Sequence, residues 1–135
     1  MGLAERRAVK DFQDKSFPAL KSRIDKAAGF SVPLEVKWES LAVADHSHLY
    51  TEGWSKVYFE PVIAAFDSIC RDQMGKDALK ASLKGIEFCS LEHRYGASGI
   101  TFVDGLLRID HEPCTNIDDV RERTEAIVKL LEAAL

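Results

Sequence analysis

The chain has 135 residues, of which 46% are hydrophobic and 30% charged, with a formal net charge of −4. That length suits a single domain, residues 1–135, burying about two-thirds of the surface its unfolded form would expose. The composition argues against disordered, fibrous and membrane classes, and the acidic balance argues against nucleic acid as a partner.

No run approaches the roughly 18 apolar residues of a spanning helix. The stretch Met1–Arg7 lacks the apolar segment of a secretory signal. Cys70, Cys89 and Cys114 are odd in number, widely spaced and free of any Cys-x-x-Cys pairing. Reduced thiols in a cytoplasmic protein are the reading that pattern favours.

From Leu3 to Ala28 apolar residues recur at helical steps, through Val9, Phe12, Phe17, Leu20 and Ile24. Pro18 cannot sit inside a helix without losing a hydrogen bond and meeting the carbonyl four residues back. The expectation is two abutting helices, the second capped by Ser16 and stopped by Gly29. Leu34 to Glu39 then alternates strictly, which predicts a half-buried strand with Leu34, Val36 and Trp38 inward. Asp45 to Gly53 has no period and reads as a loop.

Helical spacing returns between Ser55 and Met74, with a regular helix beginning near Glu60 because Pro61 fits a first turn. Gly75 is read as its stop, and a shorter helix is expected from about Asp77 to Gly85. Ile86 to Leu91 reads as a strand, with Ile86 and Phe88 on one face and Glu87 and Cys89 on the other. Ile100–Asp110 carries the strongest signal in the chain. Asp104-Gly105 is a favoured two-residue turn, and the register it sets pairs Ile100 with Ile109 and Phe102 with Leu107. Thr101, Val103, Leu106 and Arg108 then share the opposite face. Asn116 is a strong N-cap for a last helix with an apolar stripe through Ile127, Val128 and Leu131, and with Arg121, Glu122, Arg123 and Glu125 on its solvent side.

The expected fold is α+β, in the order α-β-α-α-β-β-β-α. Three alternating strands imply a sheet covered on one face, so the economical arrangement is a two-layer sandwich: a mixed or antiparallel sheet of about four strands with helices on one side. The outer face would present Lys37, Cys89, Val103, Leu106 and Arg108, a candidate surface for a protein partner or a homodimer.

Chemistry has fewer footholds. His46 and His48, in a His-x-His pair, can share a metal, and Asp110, His111 and Cys114 offer carboxylate, imidazole and thiolate beyond the hairpin. Together they would suit a divalent ion such as zinc, and the alternative they define is a metal- or small-ligand-binding protein, with a hydrolase as its enzymatic form. His111 extends the inward series Leu107, Ile109, and a histidine there is more often hydrogen-bonded to backbone than catalytic. Cys114 precedes the last helix, whose positive end can depress a thiol pKa, which makes it the candidate reactive thiol. Tyr50, Trp54 and Tyr95 fall in expected loops with histidines and an arginine, as a ligand pocket would need. No phosphate loop, nucleophile elbow or metalloprotease pattern is present. The leading expectation is a small soluble cytoplasmic domain without catalytic activity or cofactor, working through protein contacts, with neither nucleic acid nor membrane as partner.

Overall fold

A computed structural model describes all of residues 1–135. Helices α1 (Leu3–Lys15) and α2 (Phe17–Ala28) meet at Ser16, with Pro18 in the first turn of α2, where its missing N–H leaves no helical bond broken. Gly29 ends α2 at φ 85°, and its N–H returns to the Asp25 carbonyl. Ser16 does not cap with its side chain. It stays in helical φ/ψ and gives its N–H to Phe12, so the break is a kink shaped by Pro18 alone.

The first strand, β1 (Leu34–Val36), is shorter than the alternation predicts. Ser40 takes the Lys37 carbonyl with both its N–H (2.9 Å) and its hydroxyl (2.6 Å), turning the chain into the short helix α3 (Trp38–Leu41). Trp38 therefore leaves the strand, yet it still packs inward, 5.3 Å from Phe17 and 5.7 Å from Phe12 by ring centroids.

The largest departure lies between residues 47 and 69, which form one almost unbroken helical path instead of a loop followed by a helix. A turn at Ser47–Leu49 leads into α4 (Tyr50–Trp54), a π-helical turn at Ser55–Phe59, and α5 (Glu60–Ile69). Pro61 explains the π-turn. The Glu60 N–H bonds to Ser55 O, five residues back, which widens the helix where the proline ring would otherwise crowd a carbonyl. Tyr50 and Trp54 are consequently core residues, stacked at 4.4 Å with 14° between their planes.

Helix α6 (Gln73–Ser82) starts earlier than expected because Asp72 caps it, accepting from the Gly75 N–H at 2.8 Å. Met74 is thus 82% exposed and lies outside the buried stripe of α5, and Gly75 lies inside α6. The last helix, α7 (Val120–Ala134), starts later than Asn116, which adopts φ 55° in the preceding turn.

Strands β2 (Gly85–Cys89), β3 (Ile100–Val103) and β4 (Leu106–Asp110) complete one four-stranded mixed sheet in the order β1-β2-β4-β3. β1 runs parallel to β2, and β2 to β4; β3 and β4 form the hairpin. The fold is α+β. The hairpin register is the one the turn dictates, Ile100 facing Ile109 and Val103 facing Leu106, with Asp104 at φ 52° and Gly105 at φ 83°. Ile86, Phe88, Leu107 and Ile109 enter the core, where Phe59 meets Phe88 at 5.0 Å and Tyr58 meets it at 5.5 Å.

Candidate functional site

Two places carry the side chains with chemistry: the outer face of the sheet, and the end of the sheet where the parallel strands β2 and β4 finish. On the outer face, Glu87 of β2 lies between two cations. Lys37 Nζ is 3.2 Å from Glu87 Oε1, and Arg108 Nε is 3.7 Å from Glu87 Oε2. Arg108 also reaches Asp110, at 3.8 Å. The acid–base–acid–base row follows from parallel registers that place Glu87 beside Arg108 and Cys89 beside Asp110. Lys37 is held protonated more firmly than usual, chiefly through Glu87.

Cys89 shares this side of β2 but is fully buried, so it contributes nothing to a contact surface. Burial, then the neighbouring Asp110 carboxylate, raises its thiol pKa. The exposed apolar residues are instead Val103 (63%) and Leu106 (38%), paired across the hairpin next to its turn.

Asp110 and His111 are adjacent residues at a strand end, and the two side chains go to different surroundings. Asp110 Oδ1 accepts from the Leu91 N–H at 2.9 Å and the Glu92 N–H at 3.4 Å, fastening the segment that follows β2. His111 turns inward and is fully buried. Its Nδ1 is 2.6 Å from the Glu112 carbonyl, and a carbonyl only accepts, so Nδ1 carries the proton. Nε2 then presents a lone pair that no donor meets. Desolvation lowers the His111 pKa, outweighing the opposing pull of the Glu112 carbonyl. The Tyr95 ring stands edge-on at 6.3 Å, and the Tyr58 hydroxyl donates to the His111 carbonyl. A neutral, enclosed imidazole without an adjacent carboxylate partner has the environment of a packed core group.

His46 and His48 are both exposed, their ring centroids 6.4 Å apart, in the turn before α4. No three or more His, Cys, Asp or Glu side chains are grouped to hold a metal ion. His46, His48, Asp110 and His111 therefore do not converge on a shared zinc site. Cys114 is half-buried, and its surroundings act against the proposed activation. Burial raises its pKa, Glu112 adds to the rise, and α7 begins six residues later, too far for its positive end to act. Tyr50 is likewise no pocket residue: it is buried and its hydroxyl donates to the Val43 carbonyl at 2.8 Å.

Arg123 was not legible as special in the sequence. It is 1% exposed, in line with Ile127 and Leu131 on α7, and donates to the carbonyls of Asn116 (2.7 Å), Ile117 (2.8 Å) and Lys56 (3.1 Å). Its spacing, four residues before Ile127 and eight before Leu131, puts it on the apolar stripe, but its charge reads as solvent-facing. A groove of about 650 Å³ lies beside β1, bounded in part by Trp38, Lys37, Glu35 and Leu91. It contains no histidine or cysteine. Compared with protein-family models, curated proteins and solved structures, the chain matches none.

Proposed function

We propose that this chain is a non-catalytic protein-contact module that works through the hairpin end of the outer sheet face, in the cytoplasm. One observation carries the reading: Val103 and Leu106 form an exposed apolar pair at the turn of the β3–β4 hairpin, on the face that also bears Lys37, Glu87 and Arg108. An apolar centre with a charged surround is the anatomy of a modest protein interface. The charges there alternate in sign, so the face favours a partner with its own mixed charges over a polyanion. The free thiols of Cys70, Cys89 and Cys114 support a reducing compartment.

The test compares the wild type with the double variant Val103→Asp, Leu106→Asp in two assays. Light scattering over a concentration series reads self-association, and capture from a cell extract reads other partners. Loss of either association in the variant supports the reading. Association that persists unchanged in the variant, or none with the wild type in both assays, overturns it.

A further inference from the structure

The strand order gives β3 a neighbour on one side only. In a hairpin closed by two residues, the pair beside the turn exchanges both hydrogen bonds, and pairs then alternate. Val103 and Thr101 thus spend their backbone groups on Leu106 and Arg108, while Ile100 and Phe102 face the open edge. The Ile100 N–H is taken by the Ala97 carbonyl. The Ile100 carbonyl and both Phe102 groups remain at the edge.

The two edges of the sheet are treated differently. β1 is entered through Pro33, bears the exposed Glu35 and is followed by Lys37, which are common guards against strand addition. β3 reads Ile-Thr-Phe-Val, with no charge, proline or bulge. A self-copy also fits it in detail. We propose that β3 pairs antiparallel with β3 of a second copy of this chain, with Thr101 facing the partner's Thr101 across a two-fold axis.

In that register the Phe102 N–H donates to the partner's Ile100 carbonyl, and symmetry repeats the bond. Ile100 and Phe102 sit opposite one another on the core side, covering a Phe102 ring that is only half-buried in one chain. Thr101 meets Thr101 on the outer side, a favourable cross-strand pair. Val103 comes opposite the partner's Gly99, where no side chain obstructs it. Arg94 lies against Gly99, its Cβ 3.1 Å from where a Gly99 Cβ would stand. The Arg94 guanidinium is held by Glu92 at 2.7 Å, so the pairing rests on backbone bonds and matched side chains and not on an added ion pair. The inference rests on the protein-contact reading and names its partner, while moving the contact from the sheet face to the sheet edge.

Light scattering of the full chain should show the mass rising from 15.1 kDa towards twice that value as concentration increases from about 1 to about 500 µM. Thr101→Lys places two like charges across the axis and should hold the chain at one copy, with an unchanged circular dichroism spectrum. Thr101→Cys should give an intermolecular disulfide between the two position-101 sulfurs under mild oxidation, mapped by peptide mass spectrometry. Val103→Cys, facing a glycine, should not link to itself. A wild type that stays at one copy near about 500 µM, a dimer unaffected by Thr101→Lys, or a Thr101→Cys chain that fails to link through position 101 each overturns the edge pairing. If the Val103→Asp, Leu106→Asp chain loses association while Thr101→Lys keeps it, the edge pairing fails and the face reading stands. The opposite pattern removes the face reading and leaves the edge pair.

Discussion

Arg123 of α7 donates to the carbonyl of Lys56, 67 residues earlier in the chain, at 3.1 Å. That carbonyl lies in the π-turn, where the bonding register runs five residues forward and would call on the N–H of residue 61. Residue 61 is proline and has none. A guanidinium from another helix supplies the missing donor, and it also donates to the Ile117 carbonyl, which precedes α7, and to the Asn116 carbonyl, which already accepts from the Asp119 N–H at 3.1 Å. Burial depresses the Arg123 pKa, yet the group stays charged because three carbonyl dipoles replace its water.

Arg123→Met should therefore destabilise the fold by about 1–3 kcal/mol, since the partly buried carbonyls of Lys56 and Ile117 lose the guanidinium donor while Asn116 keeps the Asp119 N–H. Urea unfolding checks this, through a lower midpoint with an unchanged slope. Pro61→Ala restores an N–H near Lys56, so the Arg123→Met penalty should shrink by about 0.5–1 kcal/mol in that background. Strict additivity of the two substitutions would refute the shared carbonyl.

His111 makes stability depend on pH. Its folded-state pKa lies below the unfolded value of about 6.5, so the unfolded chain binds the proton more readily. The contribution is complete above about pH 6.5 and is lost as pH falls through that value towards the depressed folded pKa. His111→Gln should flatten this segment of the stability curve, read by denaturant unfolding at about pH 7.5 and about pH 5. Equal pH dependence in both proteins would sink the claim.

The hairpin turn tolerates little at Gly105. The residue has φ 83°, and a Cβ there would lie 2.8 Å from both the Ser82 carbonyl and Lys84 Cγ. Gly105→Ala should cost about 1–3 kcal/mol, while Asp104→Asn, at φ 52°, should be close to neutral. Thermal melts of the two variants decide it, and similar shifts would argue against the turn geometry.

The thiols should be sluggish. Burial raises the pKa of Cys70, Cys89 and Cys114 alike, so a disulfide reagent at neutral pH should label each more slowly than free cysteine. Unfolding in urea should release all three. Labelling of native Cys114 at the free rate or faster would restore it as a reactive thiol.

What the sequence determined alone is the set of features governed by local rules. The break before Pro18, the stop at Gly29 and the register across Asp104-Gly105 need only the φ preferences of Pro, Gly and Asp and a two-residue period. The separate surroundings of Asp110 and His111 were also within reach, since neighbours in a strand alternate faces. Tertiary structure decided the rest. Tyr50 and Trp54 became core residues because α4 packs Trp54 against Phe12 and Trp38 and stacks Tyr50 on Trp54, which no local period announces. Arg123 went inside because partners 6, 7 and 67 residues away offered carbonyls in place of water. A charged residue reads as solvent-facing until its distant acceptors are known, and only the packing of α7 against the π-turn reveals them.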